Sequence, residues 1–185
     1  RFDNVDDLEN FAKQLVNIVH HPFILNDETA MVSMSVGIAV FPNNGLTVSE
    51  LIKNADIAMY NAKNSGKNSY RFFDSYMEDD VNRKNDLADI LSHVIDKNEI
   101  YLQYQPQVNV ESGQVTGYEA LMRIESELVG FISPAEFIPI AEETCIINIL
   151  GEWALIEACN FNQVLIKSGF GSLRVSVNVS TTQLK

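Results

Sequence analysis

The eleven residues from Tyr118 to Leu128, YEALMRIESEL, decide the fold of the second part of this chain. They continue an alternating apolar run, and in an extended strand alternate side chains point to the same face. Glu119, Leu121 and Arg123 would therefore share one face. The stretch predicts a strand that presents a carboxylate and a guanidinium on one side.

A second strand precedes this one. Residues 100–110 and 114–124 are both strand-like, and Glu111-Ser112-Gly113 separates them. A short turn that contains glycine joins antiparallel strands, so the sequence predicts a β-hairpin.

The chain after the hairpin alternates helices with a strand. Helices are predicted over residues 134–141, beginning at Pro134, and over residues 149–167, ended by Ser168-Gly169. Residues 173–179 are then predicted as a strand, with Asn178 on the face opposite the valines. Helices placed between strands allow parallel pairing in one sheet, which indicates an α/β fold.

The first part of the chain opens with a predicted amphipathic helix. Asp3 or Asn4 would cap it, Pro22 would end it, and its apolar residues recur at helical spacing, namely Val5, Leu8, Phe11, Leu15, Ile18 and Val19. Asn26-Asp27 then separates a short apolar segment from residues 31–41. This pattern predicts two antiparallel strands joined by a turn, the second of them central in its sheet.

Further along, Thr47 followed by Glu50 is a capping-box signature. Asp56 is placed to cap a second helical segment, and Gly66 suits the end of that segment. Residues 69–73 are predicted as a closing strand.

A charged stretch over residues 74–97 connects the two parts. It carries an apolar stripe at helical spacing, formed by Leu87, Ile90, Leu91, Val94 and Ile95. The stripe indicates a connector helix with one docked face, or a signalling helix between domains. We thus predict domain limits of 1–73, 74–97 and 98–185.

Composition limits the kinds of ligand. The net charge of −12 argues against nucleic-acid polymers and anionic membrane surfaces, and 46% hydrophobic residues suffice for a core. The two cysteines, Cys145 and Cys159, have no metal-ligand spacing and indicate buried, reduced thiols in a cytoplasmic protein. We expect any membrane anchor to lie in sequence outside this chain.

Three motifs in order give the second part a family resemblance. Tyr104-Gln105-Pro106, Glu119-Ala120-Leu121-Met122-Arg123 and Val177-Asn178-Val179-Ser180 resemble the start of an EAL domain, the cyclic di-GMP phosphodiesterase family. The resemblance implies the first part of a modified (β/α)₈ barrel with its site at the carboxyl ends of the strands. The family's metal dependence implies Mg²⁺ or Mn²⁺.

The resemblance also implies roles for single residues. Glu119, near the end of its strand, matches the catalytic metal-ligand Glu, and Asn178 matches the metal-ligand Asn. Arg123 matches a ligand-phosphate contact, and Leu121 and Gln105 match pocket residues. Without the resemblance, each residue has an ordinary interpretation. Glu119 would be a solvated strand-end residue and Asn178 a turn former. Gln105 would be an amide bonded to neighbouring backbone, and Arg123 a salt-bridge partner of Glu119.

Two positions depart from the EAL pattern. Ile124 stands where the family usually has Trp, and Cys145 where it often has Gly. Ile124 is expected to keep the site apolar without the aromatic packing.

The first part resembles the C-terminal half of a GGDEF domain, the diguanylate cyclase family. The resemblance is carried by residues 35–42, 55–63 and Gly66-Lys67-Asn68. It implies part of an α/β sandwich in which Lys63 and Lys67, four apart at a helix end, contact the phosphates of GTP. Two solvated lysines on a helix face are the alternative.

Together these resemblances indicate a piece of a longer GGDEF–EAL protein of cyclic di-GMP signalling. Hydrolysis of cyclic di-GMP to linear pGpG is the expected activity of the homodimeric parent. This chain alone is expected to be inactive both as a cyclase and as a phosphodiesterase. The alternative is a degenerate module that only binds cyclic di-GMP or a partner protein.

Overall fold

The structure, a computed structural model, describes residues 4–20, 22–26, 28–171 and 173–184. It is a mixed α/β protein, as predicted, and divides into two compact units, Arg1–Arg83 and Lys84–Lys185. The division falls inside one helix, α3 (Ser75–His93). The predicted domain limits at residues 73 and 98 stay predictions.

The first unit contains two helices and four short strands before α3. In chain order they are α1 (Val5–His20), β1 (Phe23–Leu25), β2 (Glu28–Ala30), β3 (Ser35–Ile38), α2 (Val48–Asn64) and β4 (Ser69–Phe72). The β1 and β2 strands pair antiparallel. The β3 and β4 strands pair parallel, with α2 as the connection between them.

The antiparallel pair predicted around Asn26-Asp27 is present, but its second strand is not the one predicted. The partner of β1 is Glu28–Ala30, and residues 31–34 belong to no strand. A tight turn pairs the residues that follow it directly, so the polar Glu28 joins the ladder although it breaks the apolar pattern. Asp27 lies outside the described residues. The β3 strand has β4 as its one neighbour in the described structure, so its predicted central position is not seen there.

The capping box at the start of α2 is confirmed. The Glu50 amide donates to Thr47 Oγ1 over 3.2 Å, and the Glu50 carboxylate accepts from the Leu46 and Thr47 amides over 2.7 and 3.0 Å. These backbone hydrogen bonds lower the pKa of Glu50, and the bond from Leu46 has the largest effect. The second cap at Asp56 is wrong, because Asp56 lies exposed in the middle of a continuous α2.

The second unit holds a four-stranded sheet and two further helices. Its elements are β5 (Ile100–Val108), β6 (Val115–Ser126), β7 (Gly130–Ile132), α4 (Pro134–Glu143), α5 (Ile147–Lys167), β8 (Arg174–Val177) and a short 3-10 helix (Thr181–Leu184). The β5–β6 hairpin and both helices are confirmed. The strand β7 was not predicted, and β8 is shorter than predicted.

The β6 strand is the centre of this sheet. One edge pairs antiparallel with β5. The other edge pairs antiparallel with β7 near the end of β6, and parallel with β8 nearer its start. Every strand of the sheet is therefore positioned by β6.

Helices cover one face of this sheet. The stripe of α3 is confirmed as a docked face, since Leu87 and Val94 are fully buried and pack with Ile100 and Ile124. On α5, Phe161 stacks on Tyr104 with ring centroids 3.7 Å apart. Burial raises the pKa of Tyr104, with a smaller contribution from Glu157. The other sheet face is left for polar side chains.

None of the described helices is both long enough and apolar enough to cross a membrane.

Candidate functional site

Glu119 lies in the interior of β6. It is the fifth of twelve residues in that strand, so the predicted position near the strand end is wrong. Its register partners are Gln105 in β5 and Ser176 in β8. The error has a simple cause: β6 runs on past the end of β8 to pair with β7.

Asn178 follows β8 directly and reaches Glu119. The amide Nδ2 of Asn178 donates to Glu119 Oε1 over 2.8 Å, across 59 residues of sequence. The parallel register places Ser176 beside Glu119, so the chain that leaves β8 stays close to it. The structure thus brings together the two residues predicted as metal ligands.

Leu121 and Arg123 lie on the same face of β6 as Glu119, and Gln105 lies on the matching face of β5. An open cavity of about 320 Å³ adjoins them. It is lined by Gln103, Tyr104, Gln105, Pro106, Leu121 and Arg123. All three predicted ligand-binding residues therefore line one cavity.

Arg123 is held by two hydrogen bonds. Its Nε donates to Gln103 Oε1 over 2.9 Å, and a terminal nitrogen donates to the carbonyl of Met122 over 2.9 Å. The partner of Arg123 is thus an amide, whereas the alternative from sequence was a salt bridge to Glu119. An arginine paired with a neutral group keeps its positive charge uncompensated, which favours an anionic ligand.

Gln103 was not predicted as a site residue. It lies two residues before Gln105, on the same face of β5, and lines the same cavity. The signal was present in the sequence, because glutamine recurs at 103, 105 and 107 with strand spacing.

Ile124 does not belong to the site. It is fully buried on the helix-covered face, opposite to Glu119, and pairs in register with Ile100 and Ile132. The expectation that Ile124 keeps the site apolar is wrong, because even and odd positions of β6 face opposite sides. Its loss of an aromatic ring affects core packing alone.

Cys145 is exposed, as is Cys159, so the prediction of buried thiols is wrong. Cys145 occupies a left-handed backbone conformation, with φ 61°. It follows Thr144, the C-cap of α4. A helix commonly ends with a left-handed residue at this position, usually glycine. The left-handed conformation explains why glycine suits position 145 in the EAL pattern.

The donor types at Glu119 and Asn178 fit a hard divalent cation. Carboxylate and amide oxygens are the ligands that Mg²⁺ and Mn²⁺ prefer. A half-turn of the Asn178 amide would present its oxygen beside Glu119 in place of the NH₂ group. Within the described ranges no group of three or more His, Cys, Asp or Glu residues is arranged to hold a metal ion. These two residues would hold the cation together with water or ligand oxygens.

The two lysines of the first unit are placed differently from their prediction. Lys63 lies in the last turn of α2, but Lys67 lies beyond the helix with φ 59°. Both are exposed. The argument that they share one helix face is wrong, because α2 ends at Asn64. Their contact with GTP phosphates stays a prediction.

Two family models match the chain. The EAL domain model matches residues 88–185, and the diguanylate cyclase GGDEF domain model matches residues 2–69. The order of the two matches is the order inferred from the motifs.

Named relatives match most of this chain. The chain is 37% identical over 177 residues to the bifunctional diguanylate cyclase/cyclic di-GMP phosphodiesterase MucR of Pseudomonas aeruginosa, covering 96% of this chain and 26% of the relative. It is 30% identical over 173 residues to the cyclic di-GMP phosphodiesterase NbdA of the same organism, covering 94% and 22%. The chain thus spans about a quarter of the length of these relatives.

One solved structure is similar in both sequence and fold. It is the MucR phosphodiesterase in complex with cyclic di-GMP, with a TM-score of 0.50 and 36% identity over 51% of this chain and 38% of the other.

Proposed function

The chain belongs to the EAL domain family over residues 88–185, and on this premise we propose that the protein hydrolyses cyclic di-GMP to linear pGpG with a divalent metal. The reaction site is the face of β6 that carries Glu119. Because residues 2–69 match the GGDEF model, the setting is a GGDEF–EAL protein of cyclic di-GMP signalling. Its homodimeric assembly, its cytoplasmic location and a GTP site stay predictions.

The observation that carries this proposal is the hydrogen bond between Asn178 and Glu119. Two oxygen-bearing side chains, one within β6 and one just after β8, converge beside a cavity. A solvated strand-end residue and an unrelated turn former would have no reason to meet. Their convergence supports the role of Glu119 and Asn178 as metal ligands.

A divalent cation held between them would activate a water molecule and neutralise phosphoryl charge. Glu119 supplies a carboxylate on a strand that is bonded along both edges. Asn178 supplies an amide oxygen after rotation of its side chain. The protein's part is to fix these oxygens at one place beside the bound phosphodiester.

The cavity supplies the remaining contacts with the ligand. Arg123 would donate to the phosphate, held in orientation by Gln103. Leu121 and Gln105 would contact the guanine bases, one by apolar packing and one by hydrogen bonds. A local cation is needed here, because the net charge of −12 opposes binding of an anion.

The relatives support this assignment. MucR is a bifunctional diguanylate cyclase/cyclic di-GMP phosphodiesterase, NbdA is a cyclic di-GMP phosphodiesterase, and the solved MucR structure is a cyclic di-GMP complex. That structure is 36% identical to this chain.

A second function, binding without hydrolysis, is favoured by one observation. In the part of the chain that the structure describes, no group of three or more His, Cys, Asp or Glu residues is arranged to hold a metal ion, and Glu119 is the one acidic residue of the candidate pair. A module of this kind would bind cyclic di-GMP at the same cavity and release it unchanged.

The test is turnover by the full-length gene product. The purified protein should convert cyclic di-GMP to pGpG with Mg²⁺ or Mn²⁺, and chelation should stop the reaction. Glu119→Gln should abolish turnover, since it removes a charged oxygen ligand. The product is identified by chromatography and mass spectrometry.

Glu111→Gln is the matched control, because Glu111 is exposed in the hairpin turn away from the cavity. It should leave turnover unchanged. Binding of cyclic di-GMP without any pGpG would select the second function. Full activity of Glu119→Gln would contradict the proposed site.

A further inference from the structure

Ser180 links two parts of the fold beside the candidate metal site. Its Oγ donates to Glu142 Oε1 over 2.5 Å, and its own amide donates to Gln183 Oε1 over 2.9 Å. The amide of Thr182 donates to Ser180 Oγ over 3.1 Å. One serine thus connects the end of α4 with the segment over residues 178–184.

Glu142 stands where a carboxylate does not stabilise its own helix. It lies in the last turn of α4, which carries no basic residue. The carbonyl end of a helix disfavours a negative charge. The side chain is nonetheless half-buried and bonded to Ser180. Helix stability therefore does not account for a carboxylate at position 142, whereas the hydrogen bond with Ser180 does.

The same segment is held from a second side by α5. A Cβ atom at Gly151 would lie 1.9 Å from Gln183 Nε2, so the end of the Gln183 side chain occupies the space beside this glycine. Gln183 therefore packs directly on the helix backbone. The segment is fixed through Ser180 to α4 and through Gln183 to α5.

Asn178 needs this support. It lies beyond the last ladder residue of β8, Val177, and its side chain is exposed. Strand pairing therefore does not hold Asn178 in place. Ser180 is two residues further on, so the bond to Glu142 is the nearest side-chain anchor on the far side of Asn178.

We propose that Glu142 is a positioning residue that acts through Ser180 to fix Asn178 against Glu119. This inference rests on the proposed function, since it assigns the fixed pair to metal binding. Glu142 sets the geometry of the two oxygen donors without contacting the metal or the substrate. Its loss should weaken metal binding and leave the ligand cavity intact.

The experiment compares two pairs of variants in the full-length gene product. Glu142→Ala and Ser180→Ala each remove the link, whereas Glu142→Gln and Ser180→Thr each keep an acceptor or a hydroxyl. Affinity for Mn²⁺ is measured directly by calorimetry and by electron paramagnetic resonance. Affinity for cyclic di-GMP is measured separately in the presence of chelator.

The alanine variants should bind Mn²⁺ about tenfold more weakly or worse, as is usual when a group that orients a metal ligand is lost. The conservative variants should recover most of the affinity. The double variant Glu142→Ala/Ser180→Ala should be no weaker than either single one, because both break one link. Affinity for cyclic di-GMP should be unchanged in all of them.

Glu143→Ala is the matched control, because Glu143 is the exposed neighbour of Glu142 and faces Lys84. It should bind Mn²⁺ like the wild type. Equal Mn²⁺ affinity in wild type and both alanine variants would overturn the inference, as would an absence of Mn²⁺ binding by the wild type. Wild-type protein that binds Mn²⁺ but forms no pGpG would sink the proposed function and leave the inference standing.

Discussion

Arg123 and Gln103 form a side-chain pair on the open face of the β5–β6 hairpin. The Arg123 Nε donates to Gln103 Oε1 over 2.9 Å, and both residues line the cavity beside Glu119. A neutral partner orients the guanidinium without cancelling its charge. The cavity is therefore lined by a cation of fixed orientation.

Arg123→Ala should weaken cyclic di-GMP binding by about 1.5–3 kcal/mol, because a charge-assisted hydrogen bond to phosphate is lost. Gln103→Leu keeps the charge and should cost less, about 0.5–1.5 kcal/mol. Calorimetry on the full-length gene product measures both. Equal affinity of wild type and Arg123→Ala would return Arg123 to a structural role.

Cys145→Gly should raise the free energy of unfolding by about 0.5–1 kcal/mol. A side chain in the left-handed region costs roughly 1–2 kcal/mol, and the added freedom of glycine in the unfolded chain offsets part of that gain. Urea unfolding checks the value. Cys145→Ala is the control, since it removes the thiol but keeps Cβ. A glycine variant no more stable than the alanine variant would show that the position carries no strain.

Gly37→Ala should destabilise the first unit by about 3 kcal/mol or more, at the upper end of overpacking costs. A Cβ atom there would lie 1.9 Å from the Ala55 carbonyl oxygen and 2.3 Å from the Met59 nitrogen. Both are backbone atoms of α2, so neither can turn aside. Gly171→Ala is the control, because its nearest contact would be an ordinary 3.6 Å. Thermal unfolding of the two variants should differ clearly.

Glu50 should make the stability of α2 depend on pH. Hydrogen bonds from the Leu46 and Thr47 amides lower the pKa of Glu50 below the ordinary value of a glutamate, so the folded state favours the carboxylate. The stability from this charge is present at neutral pH and is lost as pH falls through the lowered pKa.

The measurement is the difference in melting temperature between wild type and Glu50→Gln. It should be positive at pH 7 and shrink to zero in acid, where the protonated side chain resembles glutamine. Asp56→Asn, at an exposed position in the middle of α2, reports the general effect of removing one negative charge. A difference that stays constant with pH would contradict the prediction.

Much of the fold could be predicted because local signals agreed with one another. The capping box at Thr47, the glycine turn at Gly113 and the apolar stripe of α3 each determine an element from neighbouring residues. The strand β7 gave no such signal, since three residues are too few to show a period.

The site could be predicted only in part, because its geometry depends on pairing between distant strands. Sequence spacing placed Glu119, Leu121 and Arg123 on one face. It did not reveal that β6 continues to Ser126 and pairs there with β7. Nor did it reveal the role of Gln103, whose partner lies 20 residues away.

The two edges of β6 have a consequence for motion. Strands flanking Glu119 on both sides should protect its amide from hydrogen exchange until the second unit opens as a whole. Asn178 has no ladder partner and should exchange through much smaller openings. One donor of the candidate pair is therefore held by strand pairing and the other through the side-chain bonds of Ser180, so local fluctuations should change the spacing between the two donors before the sheet itself opens.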